Sequence, residues 1–543
     1  MPDANVQPSR SRAVASFLWR GLAALAFVAL MPGCAGLPAN SGRTQSKALA
    51  DVSGTSLAKR IEAGAPADAR SRHRAGFRLL GDVESAYGSR LAMIDAAEKT
   101  IDLQYYSIHY DSSTEELLQR LRKAAARGVR VRILIDDFNA AGENAEVLRM
   151  DEVPGVEVRL FNPVSGPRNW QPGRLVAALF DFKRIQQRMH NKSFIADNVL
   201  AVTGGRNLGD EYFGQGSKSN FLDLDVLVAG PLVRELSGTF DAYWNDPLAY
   251  PAATLLSAAE RRELDEKRQK RLAEEGPATP AAPPQQPAVV PKAIPGAAGI
   301  ASEIENGTLE LTWAPATYVA DKPSKISGDE PDDEEETVVD GLVTLIQNAQ
   351  ADLLIVSPYF VPGAEMMNAF AGLRQRGVRV RVVTNSLASN DAPLAHVGYA
   401  RYRKALLGIG VELYELKASG DTERRILGST PRSRSSLHAK TLVMDGRLLV
   451  VGTMNLDLRS ALQNTEAGIV IRSRALSAEL TPGIEQTLKD SYKVELADGA
   501  LLWHVPASDT ARAGQTFTAE PDASTSLKLL VNIAGPFAPD EML

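Results

Sequence analysis

Apolar and polar positions along this chain alternate in patterns that predict both strands and helices. In Val129-Arg130-Val131-Arg132-Ile133-Leu134-Ile135, alternation gives way to an apolar run, which predicts a buried strand. Upstream, residues 91–97 carry the apolar side of a helix, residues 100–108 read as a strand and residues 114–127 as a second helix. Strand, helix, strand is the order of an α/β fold.

The pattern then recurs. Arg127-Gly128-Val129-Arg130-Val131-Arg132 returns as Arg376-Gly377-Val378-Arg379-Val380-Arg381, about 250 residues further on. Asp102-Leu103 returns as Asp352-Leu353 at nearly the same offset. A near-constant offset over separate matches marks an internal duplication, and its period is far too long for a solenoid. Two homologous α/β domains with mixed sheets are therefore expected, at residues 76–250 and 337–505.

Residues 251–336 join them. Ser257-Ala258-Ala259-Glu260 has the form of a capping box and opens a charged, solvated helix running to residue 275. Seven prolines between Pro277 and Pro295 predict an extended or disordered stretch. The acidic run at residues 329–336 is either a cation site or, the preferred reading, a solvated loop. Residues 506–543 form a tail.

At the other end, Arg10, Arg12 and Arg20 precede an apolar run at residues 21–31, too short to span a bilayer comfortably. Cys34, the only cysteine, follows in Leu30-Met31-Pro32-Gly33-Cys34. The string resembles a bacterial lipoprotein signal, with Cys34 the acylated residue. The alternative is an ordinary signal peptide or N-terminal anchor. Residues 1–34 are read as this signal and 35–75 as a tether off the membrane. The expected location is the bacterial cell envelope, membrane-anchored and facing the periplasm. With one cysteine there is no intrachain disulfide.

The chain has 543 residues, of which 44% are hydrophobic, enough for more than one core. Its net charge of −6 argues against a nucleic-acid footprint over the whole protein. No nucleic-acid partner is expected.

The candidate chemistry lies inside the repeat. His190-Asn191-Lys192 is followed at fixed spacing by Asp197, and His438-Ala439-Lys440 by Asp445. Gly204-Gly205-Arg206-Asn207 and Gly452-Thr453-Met454-Asn455 then come at matching distances. Each copy thus carries His, Lys, Asp, Gly and Asn in one register, and chance does not easily produce that twice. On a strand, residues i and i+2 face one side, so each His and Lys share a cleft. Lys192, Lys440, Asn207 and Asn455 suit the non-bridging oxygens of a phosphodiester. One imidazole can attack phosphorus and the other protonate the leaving alkoxide, giving a covalent phosphohistidine. Two lysines supply the positive charge, so neither metal nor cofactor is required.

These residues resemble the HKD motif of the phospholipase D superfamily. The resemblance implies two domains sharing one site about a pseudo-twofold axis, with His190 the nucleophile and His438 the general acid. It makes Asp197 and Asp445 mainly structural. It also implies an acid behind each histidine: Glu466 fits, and its counterpart is Asp223 or, competing with it, Asp225. Gln104-Tyr105-Tyr106, Met189-His190-Asn191-Lys192, Ser357-Pro358-Tyr359-Phe360-Val361-Pro362-Gly363 and Leu456-Asp457-Leu458-Arg459-Ser460 are similar to bacterial cardiolipin synthases, particularly the C-type subfamily. The implied activity makes cardiolipin from phosphatidylglycerol and a second phospholipid, with a membrane as partner. A phosphodiester hydrolase (phospholipase or nuclease) and a catalytically silent membrane-binding protein are the rivals. Tyr105, Tyr359 and Phe360 either line a lipid entrance or are strand-core aromatics.

Overall fold

The computed structural model describes residues 37–40, 42–69, 74–166, 182–217, 219–274, 298–327, 336–418 and 434–534. Cys34, the proline-rich stretch and nearly all of the acidic run lie outside the described residues.

The first repeat contains β1 (Arg74–Leu80), β2 (Thr100–Tyr105), β3 (Arg130–Asp136), β4 (Val156–Phe161), β5 (Arg188–Met189), β6 (Ser193–Ala196), β7 (Leu200–Gly204), β8 (Ser219–Leu222), β9 (Asp225–Ala229) and β10 (Ala249–Pro251). The second contains β11 (Thr312–Ala320), β12 (Asp352–Val356), β13 (Arg379–Asn385), β14 (Glu412–Leu416), β15 (Arg434–Leu437), β16 (Thr441–Met444), β17 (Leu448–Gly452), β18 (Asn464–Thr465), β19 (Ala467–Arg472), β20 (Tyr492–Ala497), β21 (Ala500–His504) and β22 (Thr516–Phe517). In each, three parallel strands lead into an antiparallel half: β4-β3-β2-β6-β7-β9-β1 in one and β14-β13-β12-β16-β17-β19-β11 in the other. The sheets are mixed and the repeats match strand for strand.

The duplicated strings explain part of this match. Arg132 and Asp102, both buried, form a two-pronged ion pair across β2 and β3, at 2.6 and 2.8 Å. Arg381 reaches Asp352 at 2.8 Å in the second copy. Each pair ties adjacent parallel strands through their side chains.

Helix Val83–Ala96 starts at its cap Asp82, and helix Ser112–Ala126 at Asp111. These helices cover the outer face of the first sheet. Helix Val338–Ile346 opens with a capping box from Thr337 and Asp340 and covers part of the second. A third core lies between the repeats. It holds Ile195, Val226 and Val228 from one, Leu354, Val451 and Ile469 from the other, and helices Leu232–Trp244 and Arg474–Lys489.

The two sheets are sewn together at equivalent strands. β1 and β11 pair antiparallel, with Ala75 opposite Ala314 and Gly76 opposite Trp313. The rest of β11 pairs with β19. Antiparallel pairing of like strands is what a two-fold relation demands.

Three expectations are corrected here. Residues 35–75 are no free tether: helix Ser56–Gly64 buries Leu57 and Ala58 in the first core, and Asn40, Arg43, Ser46 and Ala48 bond to the segment 241–249. The joining segment 251–336 supplies β11, and its helix Ala298–Asn306 packs Ile300 and Ile304 against the first core. The tail contributes β22, and Glu520 meets the buried His396 and Arg403. Sequence spacing missed these because their apolar residues are few and meet partners far away in the chain. The charged helix does begin at Ser257 and Glu260, each bonded to the other's backbone amide.

The seam yields a test. A Cβ on Gly76 would lie 2.9 Å from Leu311 Cδ1 and 3.1 Å from Trp313 Cε2. Gly76→Val should lower stability by about 1–3 kcal/mol through overpacking, read as a lower urea midpoint with an unchanged slope.

Candidate active site

Each motif lies in a short extended connection rather than inside a strand. His190 and Lys192 bridge β5 and β6, and His438 and Lys440 bridge β15 and β16. What fixes these connections is backbone pairing with the opposite repeat. β5 runs parallel to β18, and β15 parallel to β8. The His190 amide donates to the Thr465 carbonyl at 2.9 Å, and the His438 amide to the Leu222 carbonyl at 2.8 Å.

The next residue on each partner strand is the acid. Glu466 holds His190 Nδ1 between its two oxygens, at 2.9 and 3.1 Å. Asp223 meets His438 Nδ1 at 2.6 Å. Each histidine therefore faces a carboxylate from the other half. Asp225, the competing choice, is engaged elsewhere, with Arg90 at 2.9 Å and Arg206 at 3.5 Å.

The lysines differ. Lys192 Nζ donates to the His190 carbonyl at 2.9 Å. Lys440 Nζ donates to the His438 carbonyl and also lies 2.9 Å from His438 Nδ1. That nitrogen cannot accept from Lys440 and donate to Asp223 at once.

The motif aspartates do not reach the histidines. Both adopt the left-handed backbone, at φ 50° and 52°. Asp197 accepts the amides of Glu98, Lys99 and Thr100, and Asp445 those of Gln350, Ala351 and Asp352. Each thus nails the hairpin after its motif to the start of a parallel strand. The asparagines, expected as a matched pair, also diverge. Asn207 accepts the Ser107 amide and donates to the Tyr212 hydroxyl at 3.0 Å. Asn455 is buried, and its Oδ1 has no hydrogen-bond partner.

Aromatic rings close the site, and of the two readings left open for Tyr105 and Phe360 the core one holds. Tyr105 is buried with its hydroxyl on Arg90, and Phe360 packs against Phe370 and Tyr399. Both are core residues. Tyr359 bonds Asp391 at 2.8 Å. The ring edge-on to His190 is Tyr106, at 5.1 Å, and Tyr212 and Phe221 pack on His438 at 5.3 and 4.9 Å.

Further supports went unread in the sequence. Asp136 accepts the Met189 amide at 2.8 Å, and Asn385 the Leu437 amide at 2.9 Å. These are the residues just before each histidine. Asp136 and Asn385 both end the duplicated strand string, which is the signal that could have found them. The Asp321 carboxylate accepts the Glu466 amide and the Asp321 amide donates to the Glu466 carbonyl, each at 2.9 Å, and the Thr453 hydroxyl donates to the Glu466 carboxylate.

The electrostatics follow from burial. His190 and His438 are 8% and 6% exposed. Burial pulls the His190 imidazole down to about 4, with Glu466 opposing and Lys192 and Lys440 adding to the shift. Burial, then Lys440, also lowers His438, against Asp223. Burial would raise Glu466 and Asp223, but His190 and His438 respectively, with the lysines, outweigh it and hold each near 2. Lys192 falls to about 7 through burial and the charge of Lys440; Lys440 falls to about 8 through burial. Charges from either repeat act on the other, so the two motifs form one electrostatic site.

For metal ligation, one cluster stands out among the described residues. His109, Asp111 and Glu211 place ligating atoms within 4.8 Å of one another. They are already engaged: His109 pairs with Glu211 at 2.5 Å, and Asp111 accepts the Thr114 and Asp210 amides.

Comparison with known proteins places this geometry in context. A family model described as cardiolipin synthase, PLD-like domain matches residues 91–244 and 342–488. Cardiolipin synthase C of Escherichia coli is 37% identical over 407 residues, covering 72% of this chain and 80% of that protein. An uncharacterized protein of Helicobacter pylori is 30% identical over 452 residues, covering 83% and 86%. A crystal structure of phosphatidylserine synthase from Haemophilus influenzae superposes with a TM-score of 0.55 at 14% identity, covering 90% of this chain and all of that one.

The shifts carry a pH prediction. A nucleophilic His190 must be neutral, which holds above about 4. The lysines lose charge as pH rises through about 7 for Lys192 and about 8 for Lys440. The kcat/KM profile, which reports on the free enzyme, should have its acid limb near pH 4, begin to decline below the ordinary histidine value as His438 loses the proton it must donate, and fall further from pH 7 to 8 as the lysines discharge. An acid limb at the ordinary histidine value, near 6.5, would contradict it.

Proposed function

Because the chain belongs to the cardiolipin synthase family of phospholipase D-like domains, we propose that it is a phosphatidyltransferase forming cardiolipin from phosphatidylglycerol and a second phospholipid. The observation that carries the chemistry is the crossed pair of acids, Glu466 on His190 and Asp223 on His438. With only carboxylate oxygens at its Nδ1, His190 carries its proton there. Its Nε2 lone pair, on the far side of the ring, is left for phosphorus.

In the first step the bond from Nε2 to phosphorus forms. The bond from phosphorus to the donor's headgroup oxygen breaks, and His438 gives that alkoxide a proton. Asp223 favours the charged imidazole that serves as the acid. Lys192 and Lys440 face the non-bridging oxygens, and Asn455 can add a donor to them only through its Nδ2–H, not through its unpartnered Oδ1. Asn207 acts at one remove, by fixing Tyr212 against His438. In the second step a hydroxyl of phosphatidylglycerol returns a proton to His438 and attacks phosphorus, and the nitrogen–phosphorus bond breaks. A nearly buried pair of histidines disfavours water as the competing nucleophile.

Membrane attachment through acylated Cys34 completes the reading and keeps lipid hydroxyls at high local concentration. Among the described residues, no helix is long and apolar enough to cross a membrane. In cells fed labelled fatty acid, Cys34→Ala should abolish labelling of the protein. Persistent label would remove this part of the proposal.

The division of labour is testable with lipids of different leaving groups. His190→Ala should lose at least about 10⁴-fold in kcat, with no phosphatidyl-enzyme and no rescue. His438→Ala should lose about 10²–10⁴-fold and regain part of it on a lipid with an acidic leaving alcohol. The opposite rescue pattern would reverse the roles. If lipid mass spectrometry finds only phosphatidic acid with acceptor in excess, the enzyme is a hydrolase.

A further inference from the structure

The two repeats differ beside the asparagines. In the first repeat Gly204 pairs across the sheet with Asp225; in the second, Gly452 pairs with Gly468. Two residues past these glycines stand Arg206 and Met454. Arg206, Asp225 and Arg90, each no more than 2% exposed, form an ion-paired plug on the first side. The second side has a thioether instead. Met454 fills the space that two glycines leave open: a Cβ on Gly452 would lie 2.5 Å from its Sδ, and one on Gly468 2.7 Å from its Cε.

Around Met454 the packing is incomplete. An open groove of about 470 Å³ runs along the outer face of β11, β19 and β17 under helix Val338–Ile346; Val319, Leu342, Leu345, Val450, Met454 and Val470 form its apolar lining, and Thr317, Glu336, Thr337 and Arg472 line it as well. That volume falls within the ~300–1,000 Å³ of ligand clefts. On the inner side of Met454 lies a void of about 10 Å³, the lower limit for one water. It shares Leu342, Val450 and Met454 with the groove and is also lined by Lys440. Leu342, Val450 and the unbranched, adaptable Met454 thus separate the groove from a void that Lys440 lines.

We propose that this groove holds an acyl chain of the phosphatidyl substrate, with Met454 swinging aside so that chain and phosphate are bound on either side of it. The proposal rests on the function given above. The groove's apolar side, Val319, Leu342, Leu345, Val450 and Val470, suits an alkyl chain, and Lys440 beyond Met454 suits an anionic phosphate, the two parts of a phospholipid. Among the described residues, the equivalent position in the first repeat is filled by the Arg206–Asp225–Arg90 ion pairs, so the chain is placed on the second-repeat side.

The test uses the full chain. Phosphatidylglycerol with a diazirine in one acyl chain, in vesicles, should crosslink to peptides containing Leu345 or Val470. Crosslinks confined to other regions would overturn the proposal. Val470→Trp, which narrows the groove away from the catalytic groups, should raise KM for long-chain phosphatidylglycerol about tenfold, roughly what losing two buried methylenes would give. It should leave kcat/KM for the dibutyroyl lipid unchanged. An equal effect on both lipids, or none on either, would count against the groove; Val319→Trp replaces the variant if it does not fold. Wild-type inactivity on both lipids would count against the function itself, while the crosslink position judges the groove alone.

Discussion

The site depends on two short parallel ladders that cross from one repeat to the other. β5 with β18 and β15 with β8 are each only a few residues long, yet each sets the backbone of a histidine against that of its carboxylate. The carboxylates of Glu466 and Asp223 are buried and ionised, a state that is untenable without a partner. Their partners come from the opposite repeat. Neither half can therefore form a stable site alone, and the ladders, the ion pairs and the central core between the sheets reinforce one another.

Duplication supplied two equivalent histidines, and their surroundings have since been made unequal. His190 has a two-oxygen hold from Glu466 and a lysine kept on its carbonyl. His438 has Asp223 and Lys440 contending for one nitrogen. Asp136 and Asn385 show the same drift: both secure the amide before a histidine, one as a buried acid pushed up to about 6 by burial against Arg188, the other as a neutral amide. A reaction with a nucleophile and a leaving-group acid needs such inequality, since identical environments would tune both imidazoles alike.

Much of this was legible in the sequence because duplication turns spacing into evidence. The offset of the His-Lys-Asp string matched that of the strand string, so the duplication followed from periodicity alone. The pairing of Glu466 with His190 and of Asp223 with His438 was not legible. It joins residues more than 200 positions apart, through ladders too short to leave an alternating pattern. Tyr106 was passed over for Tyr105 because neighbours on a strand point to opposite faces, and composition does not say which face holds the site. Asp321 gives no signal in the chain; only the end of β11 brings it to Glu466. The helix at Ser56–Gly64 follows a stretch of small, polar residues that resembles a linker, and the apolar strand β11 follows a proline-rich one, so that in both cases long-range packing overrides the neighbouring composition.

The seam between β1 and β11 has a consequence for self-association. Two separate mixed sheets would present four edges, each a row of unpaired amides and carbonyls able to template aggregation. Joined at the seam, the described sheet has edges only at β10 and β22, of three and two residues. β10 also ends in Pro251, which has no amide hydrogen to offer an incoming strand. Among the described residues, the same pairing that unites the repeats thus leaves this large sheet only two very short edges to which another copy could add.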